Sequence, residues 1–521
     1  MATVETRSPS VSVVEPNDAI PTVGRRRRRV VRTAALAVAG VWAVALGSFS
    51  ALIYHRVDLG EDFGVYSQAW TRIGEGHLHP YSTVYGYPFL KGDFELIVWP
   101  LALLHLITTQ AIVLLWVQDL AIAGCAFVTV VWAMEILEHR GVAARVSTAV
   151  GACVLIAFIL NPNTYGTVAF DVHLEPVSTL FLVLAARDLW AGRTRRSWLW
   201  IAGALTCGSF AAITLTGVGL SAVLAGRATR RSGVSIIALG VVWLGLISLL
   251  HANQGSGIAN YAYLAGRSTI TSPSGMALVV AGIASHPWRL FDQLSRRLGD
   301  MFLLIKPVGI IGIASAWGFG VPFVVLVTNS LNGNPAFIQQ SFQNFAVFPF
   351  ALVGTVIVLA WLARQFPHAW IGTVVVAVVL GLVALDNGIH QSPNVVRWTA
   401  QEVGAGQSAA LRTALRETPP DAEVIASMGV MGRFCQREFC YFNRPGGPQR
   451  VAARQIVFVF VPSHDPWSTP QDSAAGIAYV HDRLHARLLV ATDGVTAFDW
   501  SPGPGVSSVT MPKVATPSGP P

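Results

Sequence analysis

Up to about residue 385 the chain alternates apolar runs with short polar loops, and then the pattern changes. The first run, 33–53, has about 20 residues, enough for a helix to cross a bilayer. Further runs follow at 110–136, 146–160, 177–186, 198–225, 234–250, 301–331, 346–362 and 370–385. Segment 96–107 is apolar but short, and reads as a juxtamembrane or re-entrant helix. Arginine punctuates the runs: five in a row at 25–29, then Arg140 and Arg145, Arg187 to Arg196, and Arg227 to Arg231. Basic loops mark the cytoplasmic side, so the N-terminus is expected inside. Run 198–225 has basic loops at both ends and must cross twice, turning near Cys207-Gly208-Ser209. Run 301–331 reads as a second hairpin, bent around 315–320. The pattern predicts a mainly α, polytopic transmembrane helical bundle of about 11 spans.

From about 386 the pattern becomes that of a soluble domain. Helical spacing at 400–416 and 473–484 and strand-like runs at 423–427, 455–461 and 486–492 predict a small C-terminal α/β domain. By the parity of the spans it is extracytoplasmic. The expected organisation is a disordered basic tail at 1–32, a transmembrane module at 33–385, the α/β domain at 386–500 and a disordered tail at 501–521. Two large outer loops fall at 54–95 and 251–300. The second contains an amphipathic stretch, 289–297, suited to the membrane surface.

Composition sharpens this picture. Of 521 residues, 53% are hydrophobic and 12% charged, with a mean hydropathy of +0.52. Soluble domains carry about 25% charged residues, so this is an integral membrane protein. The net charge of +8 lies in the short basic loops and does not point to nucleic acid. The five cysteines show no CxxC spacing. Cys435 and Cys440 fall in the C-terminal domain, where a local disulfide is allowed outside the cytoplasm; two free thiols are the alternative.

The first outer loop is the chemically dense stretch. It carries Asp58, Glu61, Asp62, Glu75, His77, His79, Asp93 and Glu95 among the aromatics Phe63, Tyr66 and Trp70. Ionisable groups against a bilayer are costly unless they face a cavity or serve a function. A second acidic group with a histidine, Phe170-Asp171-Val172-His173-Leu174-Glu175, falls on the same side.

Asp62-Phe63-Gly64-Val65-Tyr66-Ser67-Gln68-Ala69-Trp70 resembles a segment found in a family of multi-spanning prokaryotic membrane proteins with a domain of unknown function. The Phe170 to Glu175 stretch resembles a second motif of that family, with Leu174 in place of a proline. With Lys306-Pro307, Pro322 and the soluble tail, the resemblance covers nearly the whole chain. That family in turn is similar to the GT-C superfamily of glycosyltransferases that use polyprenyl-phosphate sugars. The resemblance implies a prokaryotic plasma-membrane protein with a catalytic aspartate in the first outer loop, and Asp62 matches it by position. One departure stands out: the family carries a basic-acidic-acidic triplet at the hairpin turn, where this chain has Cys207-Gly208-Ser209.

Glycosyl transfer from a lipid phosphate needs a base for the acceptor hydroxyl and cations for the leaving phosphate. Asp62 is the candidate base. Gln68, Asp93, Glu95, Asp171, His173, Glu175, Arg289 and Lys306 are the candidate substrate-binding residues, with Arg296 and Arg297 as further phosphate partners. Asp171, His173 and Glu175 could also hold a divalent metal such as Mg or Mn. Tyr81, Tyr85 and Tyr87 suit either sugar stacking or the membrane interface. The expected partners are membrane lipid, a polyprenyl-phosphate-sugar donor and a cell-envelope glycan or protein acceptor. The competing readings are a transporter or flippase, favoured by Asp119 and Glu135 within a span, and an inactive scaffold, favoured by the altered hairpin turn.

Overall fold

A computed structural model describes residues 22–92, 94–250, 259–268, 270, 275–334, 338, 342–365, 402–452, 455–466 and 468–514. The expected last span, 370–385, lies outside these residues, as does Asp93. The described chain is mainly helical, with a small sheet near the C-terminus.

The first helix, α1 (Thr22–Arg56), starts well ahead of the expected boundary, so the arginine run is carried on the helix. A short helix, α2 (Glu61–Gly74), follows at once, and a two-stranded ribbon, β1 (Tyr81–Ser82) and β2 (Tyr87–Pro88), comes next. The short apolar segment forms only α3 (Val98–Ala102) and a 3-10 turn. The central helix α4 (Ile112–His139) has the highest burial of the long apolar helices. Helix α5 (Ala144–Ile159) meets α6 (Pro162–Ala169) at a 43° bend. Pro162 lacks the N–H a continuing helix needs, and Asn161 caps the new one by accepting from the Asn163 amide at 3.0 Å.

Helix α7 (Glu175–Trp190) leads into the predicted hairpin, α8 (Thr194–Leu205) and α9 (Ser209–Leu224), whose turn contains Cys207 and Gly208. Helix α10 (Arg227–Leu249) packs back on α9. Beyond it lie α11 (Gly275–Ser285), α12 (Pro287–Ile305), α13 (Ala316–Ser330) and α14 (Val347–Gln365). The region 301–331 is not a hairpin of two helices. Pro307 and the positive φ of Gly309 end α12, two 3-10 turns follow, and Ser315 caps α13. Among the described residues, three helices are long and apolar enough to cross a membrane, or four if the bent α5–α6 pair counts as one span.

Small residues let the helices approach. A Cβ on Gly217 would fall 2.7 Å from the Val321 Cα, and one on Gly233 would fall 2.7 Å from the Gly219 carbonyl oxygen. The bundle core is aromatic at its centre, where fully buried Trp132 meets Trp317 and Phe350 edge-on. Charge at one end of the bundle is paired. Glu135 accepts from Arg187 at 2.5 and 2.8 Å and from Arg32 at 2.9 Å. Nearby, Asp188 holds Arg193 at 2.6 Å and Arg196 at 3.1 Å. We call this the arginine end.

The C-terminal domain sits at the other end. It comprises α15 (Ala405–Glu417), β3 (Glu423–Ala426), β4 (Cys440–Phe442), β5 (Pro448–Arg450), β6 (Ile456–Phe460), α16 (Pro470–Ala478), β7 (Arg487–Thr492), β8 (Val495–Trp500) and β9 (Ser508–Thr510). Its sheet runs β4-β3-β6-β8-β7, parallel across the first three strands and antiparallel across the rest. Strand β6 is buried at every position, as its unbroken apolar run requires. The stretch after Ser501 was expected to be disordered, yet β9 pairs with β5, because Val509 and Met511 bury their side chains on the sheet.

Candidate functional site

Helix α2 begins without a capping side chain of its own. Its cap comes from 111 residues further on. Asp171 accepts from the Gly60 amide at 2.8 Å and from the Phe63 amide at 3.4 Å. A carboxylate at a helix N-terminus satisfies orphan amides and meets the positive end of the dipole. To reach it, Asp171 adopts a φ of 38°, in left-handed territory. The loops before Asp58 and Glu95 are strained in the same way, at Val57 (φ 61°) and Phe94 (φ 58°). The other described non-glycine residues with positive φ, His485 and Asp493, lie in turns of the C-terminal domain. In the membrane module, backbone strain therefore gathers beside the acidic groups, which is where strain tends to mark function.

Asp62 stands in the first turn of α2 with its side chain 31% exposed. On one side the Tyr85 hydroxyl donates to it at 3.4 Å, and Tyr85 stacks on Tyr87 at 5.4 Å. On the other, the His173 Nε2 lies 3.7 Å away, while the His173 Nδ1 lies 3.9 Å from Glu175. The imidazole is thus set between two carboxylates. It is held there by Phe342, stacked at 3.5 Å, and by Gln118, which accepts from the His173 amide at 2.6 Å. Burial holds His173 neutral, with its pKa lowered to about 3.

A crowd of carboxylates surrounds this centre. Burial, then Glu402 and Asp171, push Asp58 up to about 7. Burial and Asp171 push Glu61 up to about 7, against the opposing pull of Arg444. Asp171 rises to about 6 through burial, held back by the amides it caps. Glu402 is raised by burial and by Asp171. Glu95 is buried and accepts from the Tyr66 hydroxyl at 2.5 Å. Burial pushes the Cys207 thiol up, and the charges of Glu95 and Glu175 add to this. The hairpin turn with the altered triplet therefore borders the same acidic group.

The residues singled out in the sequence divide into three sets. Asp62, Asp171, His173 and Glu175 come together, and Glu95 joins them through α2. Gln68 is instead a fully buried fastening: it accepts from the Thr83 amide at 2.9 Å and donates to the Thr83 hydroxyl and the Glu438 carbonyl. Arg289 turns to the Tyr263 and Leu264 carbonyls, and Lys306 caps the end of α12. Arg296 and Arg297 pair within α12, with Asp292 and Asp300. The proposed metal ligands do not converge, since the Asp171 carboxylate is turned onto backbone amides. Among the described residues, no three His, Cys, Asp or Glu side chains lie at metal-binding spacing. Cys435 and Cys440 are bonded, with Cα atoms 5.1 Å apart.

Gln118 and Glu402 are not singled out by the sequence, and Tyr66 only as one of the loop aromatics. Gln118 had a visible signal, as an amide beside Asp119 inside an otherwise apolar run. Glu402 had none, because only the folded chain brings it back to Asp58.

A helical bundle with these apolar helices defines a multi-pass membrane protein, and the capped, acid-rich helix α2 is its candidate site. The chain belongs to the family described as Predicted membrane protein (DUF2079), whose model matches residues 60–475. No curated protein matches it. Among solved structures it is similar to ArnT from Cupriavidus metallidurans bound to undecaprenyl phosphate, with a TM-score of 0.45 and 12% identity over 90% of this chain and 98% of that one. It is also similar to the apo state of ArnT, with a TM-score of 0.40 and 12% identity over 89% of this chain and 98% of that one.

Proposed function

We propose that this protein is an integral membrane glycosyltransferase that moves a sugar from a polyprenyl-phosphate donor to an extracytoplasmic acceptor, with Asp62 as the base. The observation that carries the reading is the setting of Asp62. It is a partly open carboxylate between a tyrosine hydroxyl and a neutral imidazole, on a helix whose start is fixed by a strained, distant cap. Such a group is pre-positioned to take a proton from an acceptor hydroxyl. The donor class follows from the motif resemblance. The N-terminus is cytoplasmic, the C-terminal domain is extracytoplasmic, and about 11 spans join them; the acceptor is a cell-envelope glycan or protein. Arg289 and Lys306 are proposed to meet the phosphate once the donor is bound.

The transporter reading loses one of its two supports. Glu135 is committed to Arg187 and Arg32, and only Asp119, buried with Ser50 as a polar neighbour, remains. The test is transfer of labelled sugar from lipid extract in membranes of a strain lacking the protein, before and after complementation. Transfer that appears only on complementation is the expected result. If complemented membranes hold folded protein and transfer does not change, the inactive scaffold is the better reading.

A further inference from the structure

The loop Gly432–Cys440 of the C-terminal domain, closed by the Cys435–Cys440 bond, lies directly on the chain around α2. The Gly432 amide donates to the Leu59 carbonyl at 2.8 Å, and the Ser67 hydroxyl donates to the Gly432 carbonyl at 3.3 Å. Arg433 lies 3.8 Å over the Tyr54 ring and donates to the Tyr54 carbonyl. The Tyr54 hydroxyl donates to Gln436, which donates in turn to the Thr109 carbonyl. Gln68 donates to the Glu438 carbonyl at 2.9 Å, and Thr83 bonds both backbone groups of Cys440. The Cys435 sulfur rests on Gly64, where a Cβ would come within 3.1 Å of it. Both cysteines are fully buried.

Gly64 and Gln68 are one turn apart on α2, whereas Asp62 lies about 200° round the helix from Gly64. One face of α2 is therefore seated on the loop while the opposite side presents Asp62 to His173. We propose that the disulfide-closed loop is the positioning element of the site: only the bridged loop seats α2 and so aims Asp62. The soluble domain then acts as a structural half of the site, and Gly64, Gln68 and Thr83 are positioning residues. The purpose assigned to this seat rests on the reading of Asp62 as base, but the seating itself is measured without any transfer assay.

The test is amide hydrogen exchange on the full-length protein in lipid nanodiscs, comparing the parent, the Cys435→Ala/Cys440→Ala pair and Gly64→Val. The parent should protect α2. In the cysteine pair, exchange over residues 61–74 should quicken by about tenfold or more, with α4 and β6 unchanged. Gly64→Val keeps the bond but lifts the helix, and should loosen the same residues. Protection of α2 in the cysteine pair equal to that of the parent would overturn the proposal, as would unchanged protection in Gly64→Val. Loosening of β6 together with α2 in the cysteine pair would also overturn it, since the bond would then hold the domain as a whole rather than seat α2.

Discussion

The two ends of the bundle treat charge in opposite ways. At the arginine end the carboxylates have cationic partners: part-buried Glu135 lies between Arg187 and Arg32, and buried Asp188 between Arg193 and Arg196. At the domain end, carboxylates from three separate parts of the chain crowd together, and Asp58, Glu61, Asp171 and Glu402 all have raised pKa values. Paired charge of the first kind holds helices in register and is silent chemically. Like charge held together at the cost of strained backbone at Val57, Phe94 and Asp171 is not an arrangement that stability alone would favour. The contrast marks the domain end as the candidate site without reference to any relative.

Breaking a pair at the arginine end should give the largest loss of stability. Glu135→Ala removes both charge-assisted hydrogen bonds from part-buried Arg187 and should cost about 3 kcal/mol, the upper end for hydrogen bonds between charged groups. Arg32 is more exposed, so Arg32→Ala should cost no more than about 1 kcal/mol. Equal losses in chemical or thermal unfolding of the two variants would contradict the triad as described. At the domain end, Tyr66→Phe removes one donor to buried Glu95 and should cost about 1–2 kcal/mol, read from the same melts.

The pH dependence should show the smallest and most specific effect. Asp58, Glu61 and Asp171 bind protons more tightly folded than unfolded, where carboxyls titrate near about 4. The folded state therefore holds the extra protons between about pH 4 and 7, and these groups lose stability as pH rises through that window. His173 works in the opposite sense, but only below its ordinary value of 6.5. Between about pH 6.5 and 7 the acids with folded values near 7 outweigh the fading histidine contribution, so Tm should fall there. Asp171→Asn removes a charge that adds to burial in raising Asp58, Glu61 and Glu402, and should flatten that slope in part. A Tm that rises across this range would show that the cluster is compensated after all.

How much of this was legible beforehand follows from what each signal depends on. Hydropathy and arginine spacing located α1, α4, α10 and the α8–α9 hairpin, because bilayer burial is written in composition. They did not reveal the 3-10 linkage after Lys306, which Pro307 and Gly309 dictate locally. Strand β6 was visible as an apolar run, while β4 and β9 are too short to have a period and exist through their partners. Asp62 and the Asp171 to Glu175 group could be named as candidate site residues, but not the contacts that bring them together. That Asp171 caps α2, and that Gln68 fastens the soluble domain, depend on contacts across 111 and 370 residues, which no local pattern encodes.

The most direct measurement is sugar transfer by Asp62→Asn, made on the same membranes in which its folding is checked, with Asp58→Asn alongside. Asn keeps the size and removes the basicity. The account predicts a loss of about 100- to 10,000-fold in transfer for Asp62→Asn, with unchanged insertion and melting, and a mild effect for Asp58→Asn. Full transfer by a folded Asp62→Asn protein would contradict it.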